Sequence, residues 1–287
     1  MCQLIHQIIH STLNAARLIL ALLILLHSAN TLATNIVLNI IDGASSGLND
    51  PAPASPIGGN TGTTIGEQRQ IAFNFAADFI ETIFDSSVTI TIDASFAPLS
   101  CTSSSATLGN GGPLTVHHRN SSIPPIPLPE SNTWYVGALA NAYKGSDLAA
   151  QSDMELTFNA SIDNNNSCLN NRNWYYGLDG NAPGNDIDFL STVMHEILHG
   201  LGFLTLVDLP TGSEFSSRSG IYSYFLEDHS TAKTWNQMND AERLASTTDL
   251  PDLHWIGSNV QANSGGLTAG IDQGHVRMYA PSTVSTG

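Results

Sequence analysis

Apolar and polar positions change period several times along the chain, and each change marks an element. Across "TIGEQRQIAFNFAADFIETIF" (64–84), Ile71, Phe75, Phe79 and Ile83 recur with Ala72, Ala76 and Ile80 at helical spacing. Thr64 stands three residues before Glu67, the spacing of a capping box, so the helix is expected to open there. In "SVTITIDASF" (87–96), Val88, Ile90 and Ile92 alternate with threonines and Asp93, the pattern of a half-buried strand. "MELTFNAS" (154–161) reads as a second strand, while "TWYVGALANAY" (133–143) and "MNDAERLAS" (238–246) read as helices. The stretches 48–64, 102–132 and 163–188 are rich in Gly, Pro, Ser and Asn and read as irregular connections. After 246 the pattern predicts loop with brief strands. Helices and strands mixed around one core predict an α+β (mixed α/β) domain.

The strongest periodic segment is 188–202. At 100° per residue, Val193, Ile197, Leu190, Leu201, Met194 and Leu198 fall within one arc of about 140°. His195 and His199 lie on the opposite side, one turn apart, and Glu196 flanks them. Imidazoles stacked at i and i+4 can reach one ion at about 2.0–2.1 Å. The glutamate between them sits too far round to join that pair, but it can take a proton from a water at the metal. "HEILH" therefore predicts a zinc centre with His195 and His199 as ligands and Glu196 as general base. A catalytic zinc takes a third protein ligand. His275 and His254 are the in-chain candidates, with His229, Glu227 and Asp208 as further options; the alternative is a ligand beyond Gly287.

Composition narrows the setting. Acidic residues outnumber basic ones 25 to 9, giving a net charge of −16, which disfavours nucleic acid and anionic membrane as partners. The first 33 residues differ from the rest. Arg17 precedes the apolar run "LILALLILL" (18–26), and small residues lead to Ala33, the pattern of a cleaved secretory leader. Nine strongly apolar residues fall short of the roughly 20 that cross a bilayer. The expected organisation is thus a leader over 1–33 and a catalytic domain over 34–287, exported. In an oxidising compartment, Cys101 and Cys168 form an even pair and predict a disulfide, Cys2 leaving with the leader.

The longer stretch "HEILHGLGF" resembles the zincin metallopeptidases with HExxHxxGF, as in the leishmanolysin type. Wider segments resemble exported bacterial peptidase-like proteins that often carry a protease-associated domain. These are "GEQRQIAF", "NTWYVGALAN", "NWYYGLDGN", "VMHEILHGLGF", "TWNQMNDAERLAS" and "VRMYAP", spread from about residue 47 to the C-terminus. The resemblance implies a zincin fold, an active-site helix under a small twisted sheet whose edge strand pairs with an extended peptide. It also implies a turn at Gly202. Where the commoner metzincin pattern has a third histidine, this chain has Thr205. The leishmanolysin type supplies that ligand far downstream, after the position of "YAP", which is the ground for looking beyond Gly287. The implied function is a secreted zinc-dependent endopeptidase acting on protein or peptide substrates. The rival is a zincin-like binding or adhesion domain without catalysis, against which the intact Glu196 speaks.

Overall fold

The fold is organised by a four-stranded sheet whose two faces differ in polarity. In the computed structural model, residues 34–266 and 270–281 are described; the expected leader over 1–33 lies outside them. Strand β1 (Ile36–Ile40) pairs in parallel with β2 (Ile90–Ala97), and β2 pairs in parallel with β4 (Met154–Asn159). β3 (Gly109–Pro113) closes the far edge, antiparallel to β4, giving the order β1-β2-β4-β3. The alternation read from the sequence holds: Ile90, Ile92, Ala94 and Phe96 are buried, as are Met154, Leu156 and Phe158. Opposite them the face is polar, with Asp93 accepting hydrogen bonds from Asn39 and Ser152 at 2.7 and 2.6 Å.

Helices α1 (Ile65–Glu81) and α3 (Phe189–Gly200) join the apolar face in one core. The Thr64–Glu67 capping box is present and fixes the start of α1. The stripe on α1 differs from the sequence reading. Ala72, Phe73, Ala76, Ala77 and Ile80 are buried, whereas Phe75, Phe79 and Ile83 are exposed. Two apolar rows run side by side on this helix, and the row with the smaller side chains faces the sheet, where the helix packs closely. Phe189, at the start of α3, is the aromatic hub, with its ring 4.9–5.4 Å from those of Phe96, Phe158, Trp174 and Tyr176. Arg69 of α1 is buried over the Phe96 ring and bonds Tyr176 Oη (2.8 Å), Gly47 O (2.7 Å) and Asp163 Oδ2 (3.1 Å). Its five donors satisfy three segments far apart in sequence.

Two expectations need correction, and a third, brief strands after the central helix, is met by a second sheet. The segment 102–132 is more than loop, because Gly109–Pro113 forms β3; its glycines lack strand propensity, and pairing with β4 alone makes it a strand. The helix expected over 133–143 is shorter: Tyr135–Val136 pairs with Val116–His117, and α2 spans Gly137–Lys144. Gly145, at φ 75°, ends it in the left-handed conformation glycine accepts. Finally, the chain after α3 builds a second sheet from short strands: β5 (Leu226–Asp228), β6 (Lys233–Thr234), β7 (Leu253–Trp255), β8 (Ile271–Asp272) and β9 (His275–Arg277). Their order is β6-β5-β7-β9-β8, all antiparallel. The expected helix at 238–246 is present as α4 (Asp240–Ser246), with the Asn239–Glu242 capping box. A separate cluster of Val207, Tyr222, Leu226, Trp235, Met238, Leu253 and Ala280 lies under this sheet.

The residues from Thr34 onward form one compact unit. Cys101 and Cys168 are joined by a disulfide, as their pairing predicted. Among the described residues no helix is long and apolar enough to cross a membrane.

Candidate metal centre

Helix α3 is set by its ends. The Asp188 side chain accepts from Ser191 N at 2.7 Å at the N-terminus. At the C-terminus Gly202 takes φ 108°, and Phe203 N reaches back to Leu198 O at 2.9 Å, a Schellman-type stop. This is the turn the resemblance implied at Gly202. Between these ends the expected arc turns inward, with Val193 and Ile197 fully inaccessible, Leu201 nearly so, and Leu190, Met194 and Leu198 half-buried. His195 is turned outward and His199 is half-buried.

The two imidazoles converge. His195 Nε2 and His199 Nε2 lie 2.9 Å apart, and the rings meet edge to face. His199 Nδ1 is 2.8 Å from Phe203 O, a carbonyl that can only accept. The proton therefore sits on Nδ1 and Nε2 keeps its lone pair, the arrangement by which a backbone carbonyl orients a metal-ligating histidine. The helix stop thus supplies the acceptor that aims the ligand. Burial and the neighbouring His199 hold the His195 pKa below its ordinary value, favouring the neutral form that binds metal. A zinc-class ion fits this donor pair.

Glu196 departs from its expected place on the flank. It is buried, facing β3 across the edge of the sheet. A Cβ on Gly109 would lie 3.0 Å from Glu196 Oε1, and one on Gly111 2.7 Å from Glu196 Oε2. The alternate glycines therefore leave the carboxylate its room, a role for Gly in a strand that a close approach demands. Burial raises the Glu196 pKa above the usual carboxylate range, and His199 partly opposes the shift. The "GNG" alternation at 109–111 was the available signal for these two glycines.

His195 stands between two cavities. One, of about 550 Å³, is lined by His195, His199, Phe203, Tyr222, Met278 and Tyr279 among others and is largely apolar. The other, of about 690 Å³, runs past Glu196 along Ser100 and 105–109 to Thr192. The Cys101–Cys168 bond anchors the loop that forms its outer wall. A cavity thus lies on either side of the histidine pair.

Among the described residues no His, Cys, Asp or Glu completes a group of three with His195 and His199, their ligand atoms within 4.8 Å of one another. His254 and His275, the in-chain candidates, gather instead with His229, Glu227 and Asp272. Asp208 is exposed and bonds Thr211, outside this group. The alternative ligand beyond Gly287 lies outside the described residues.

A family model described as SPBPB7E8-like matches residues 60–209, from the approach to α1 through the turn after α3. The chain belongs to the SPBPB7E8-like family. The matched segment carries α1, the four-stranded sheet from β2 onward, the β3 glycines, both histidines, Glu196 and Gly202. The second sheet lies beyond the SPBPB7E8-like match. No curated protein and no solved structure matches the chain.

Proposed function

We propose that this chain is a secreted zinc-dependent endopeptidase. The observation that carries the reading is the convergence of two Nε2 atoms at 2.9 Å on the helix that also buries Glu196 beside an open strand edge. His195 and His199 hold the ion. When bound, zinc supplies Lewis acidity, polarising the scissile carbonyl and easing deprotonation of water. Glu196 accepts the proton of the attacking water and returns it to the leaving amine. The outer edge of β3 offers backbone N–H and C=O groups to an extended peptide, which binds by strand addition. The glycines of β3 keep side chains out of the approach to Glu196. The leader-like composition of 1–33 and the disulfide agree with export.

The zincin kinship of this SPBPB7E8-like chain belongs to the same proposal. Its supports are the HExxHxxGF stretch, the glycine turn after the helix, and a mixed sheet with one antiparallel edge strand. A casein zymogram of the chain from Thr34, with and without a zinc chelator, tests it. The proposal expects a cleared band that the chelator removes and added zinc restores. Clearing that persists at full chelation would refute it, as would the absence of clearing by zinc-loaded, folded protein, which would favour the binding domain.

A further inference from the structure

The second sheet carries another set of metal-ligand side chains, assembled by its register. Glu227 stands opposite His254, His254 opposite Arg277, and Asp272 opposite His275. Directly opposed residues share a face of a sheet, and so do residues two apart on a strand. Glu227, His254, Asp272 and His275 therefore share one face, and His229, two beyond Glu227, extends the row. The other face holds Leu226 and Leu253 against the apolar cluster with Tyr222 and Trp235.

The polar face is not satisfied by hydrogen bonding. His254 is fully buried, and its Nδ1 lies 2.8 Å from Asp252 O, so Nδ1 carries the proton and Nε2 presents a lone pair. That nitrogen has no hydrogen-bond partner and faces Asp272 Oδ2 at 3.4 Å. Two acceptors at this distance repel unless a proton or a metal ion lies between them. Arg277 approaches the same carboxylate only to 3.7 Å. The arrangement repeats at His229, whose Nε2 is 3.2 Å from Glu227 Oε1 and 2.9 Å from His275 Nδ1, while its buried Nδ1 has no partner. The His229 and His254 rings stack at 3.6 Å with planes 12° apart. Protonating both would press two positive charges together, whereas one divalent ion answers both lone pairs. Donors each about 2.0–2.2 Å from a tetrahedral ion stand about 3.3–3.6 Å from each other, a range that includes the His254–Asp272 separation.

We propose that His229, His254 and His275, with Glu227 and Asp272, form a second metal site for a zinc-class transition ion, separate from the His195/His199 pair. His229 belongs to both donor triads, one with Glu227 and His275 and one with His254 and Asp272; in each, the ligand atoms lie within 4.8 Å of one another. Imidazole donors favour zinc, cobalt or nickel over calcium and magnesium, which take oxygen ligands. The ion ties β5 and β7 to the β8–β9 hairpin. Met278, Tyr279 and Pro281, directly after that hairpin, line the His195/His199 cavity, so filling this site fixes one wall of the cavity.

Full-length protein carrying His195→Ala and His199→Ala isolates the site from the first centre, and from the fate of the peptidase proposal. Titration with Co2+, followed by its visible absorption and by metal analysis after desalting, is expected to reach about one ion per chain, with tetrahedral-type bands that Zn2+ displaces. Adding His229→Ala should abolish binding. His275→Ala, at a half-buried position, should weaken it by more than about 100-fold, beyond the roughly 10–100-fold that loss of an outer partner typically costs. Unchanged circular dichroism in the His275→Ala protein separates ligand loss from misfolding. The proposal is overturned if the double variant binds no Co2+ and gains no thermal stability from Zn2+. It is equally overturned if both further substitutions leave binding intact, or if only Ca2+ binds.

Discussion

Gly111→Ala is the substitution that most sharply probes how the sheet meets helix α3. The added methyl would lie 2.7 Å from Glu196 Oε2, 2.7 Å from Leu156 Cδ2 and 2.8 Å from Glu196 Cβ. Carbon atoms in good contact stand about 3.5–4.0 Å apart, so β3 and α3 must separate by roughly 0.7–1.3 Å. The Glu196 carboxylate could swing away, but its Cβ is fixed to a helix that Val193 and Ile197, both fully buried, anchor in the core. Overpacking of this kind costs about 1–3 kcal/mol. For a domain of this size each kcal/mol moves Tm by roughly 2–4 °C, so a loss of about 2 kcal/mol lowers it by roughly 4–8 °C. Gly112→Ala is the internal control, because its Cβ would meet nothing within 4 Å. Both substitutions change the unfolded chain alike, so their difference isolates the clash. Calorimetry of the two variants supplies the comparison, and peptide turnover supplies a second readout. Displacing a catalytic group by about 1 Å can cost roughly 100-fold in rate. Equal Tm values and equal turnover for Gly111→Ala and Gly112→Ala would refute the close approach of β3 to Glu196.

Two further outcomes concern the scaffold. The Cys101–Cys168 bond spans 67 residues, and in the chain-entropy account closing such a loop contributes about 4 kcal/mol. Reduction or a double Cys→Ala change should lower Tm by roughly 8–16 °C, and thiol titration of denatured, unreduced protein from Thr34 should find no free thiol; two would contradict the bond. Arg69→Met should cost about 3–5 kcal/mol, because it leaves the Asp163 carboxylate without its cation, held only by the Tyr176 hydroxyl and Trp174 N. A denaturant midpoint equal to that of the parent protein would show that this buried network contributes little.

The parts of this molecule that were legible in the sequence are those where one local rule acts alone. The Thr64–Glu67 box fixed one helix start, and the opposed faces of α3 announced both the inward arc and the outward histidines. What was not legible depends on partners distant in sequence. Nothing local marks "GNGGP" as a strand, since only pairing with Met154–Asn159 extends it. Similarly, α1 carries two apolar rows, and which is buried is decided by how close the sheet lies. Glu196 looked like a flanking surface group because helical angles do not report what approaches from outside, here the two glycines of β3. His229, His254 and His275 could be named as candidates one by one. Only the register of the second sheet shows that they face each other rather than the helix pair.

The central claim is that His195 and His199 hold the ion while Glu196 moves the proton. Glu196→Gln separates these roles, because the amide keeps the size of the carboxylate but cannot take the proton of water. Metal content and turnover of a casein-derived peptide, measured on the same preparation, give the most direct test. In the background of His229→Ala, where the second site cannot contribute metal, the account predicts zinc content unchanged by Glu196→Gln and turnover lowered by at least about 100-fold. Near-normal turnover in the Glu196→Gln protein, with its zinc still bound, would contradict the account.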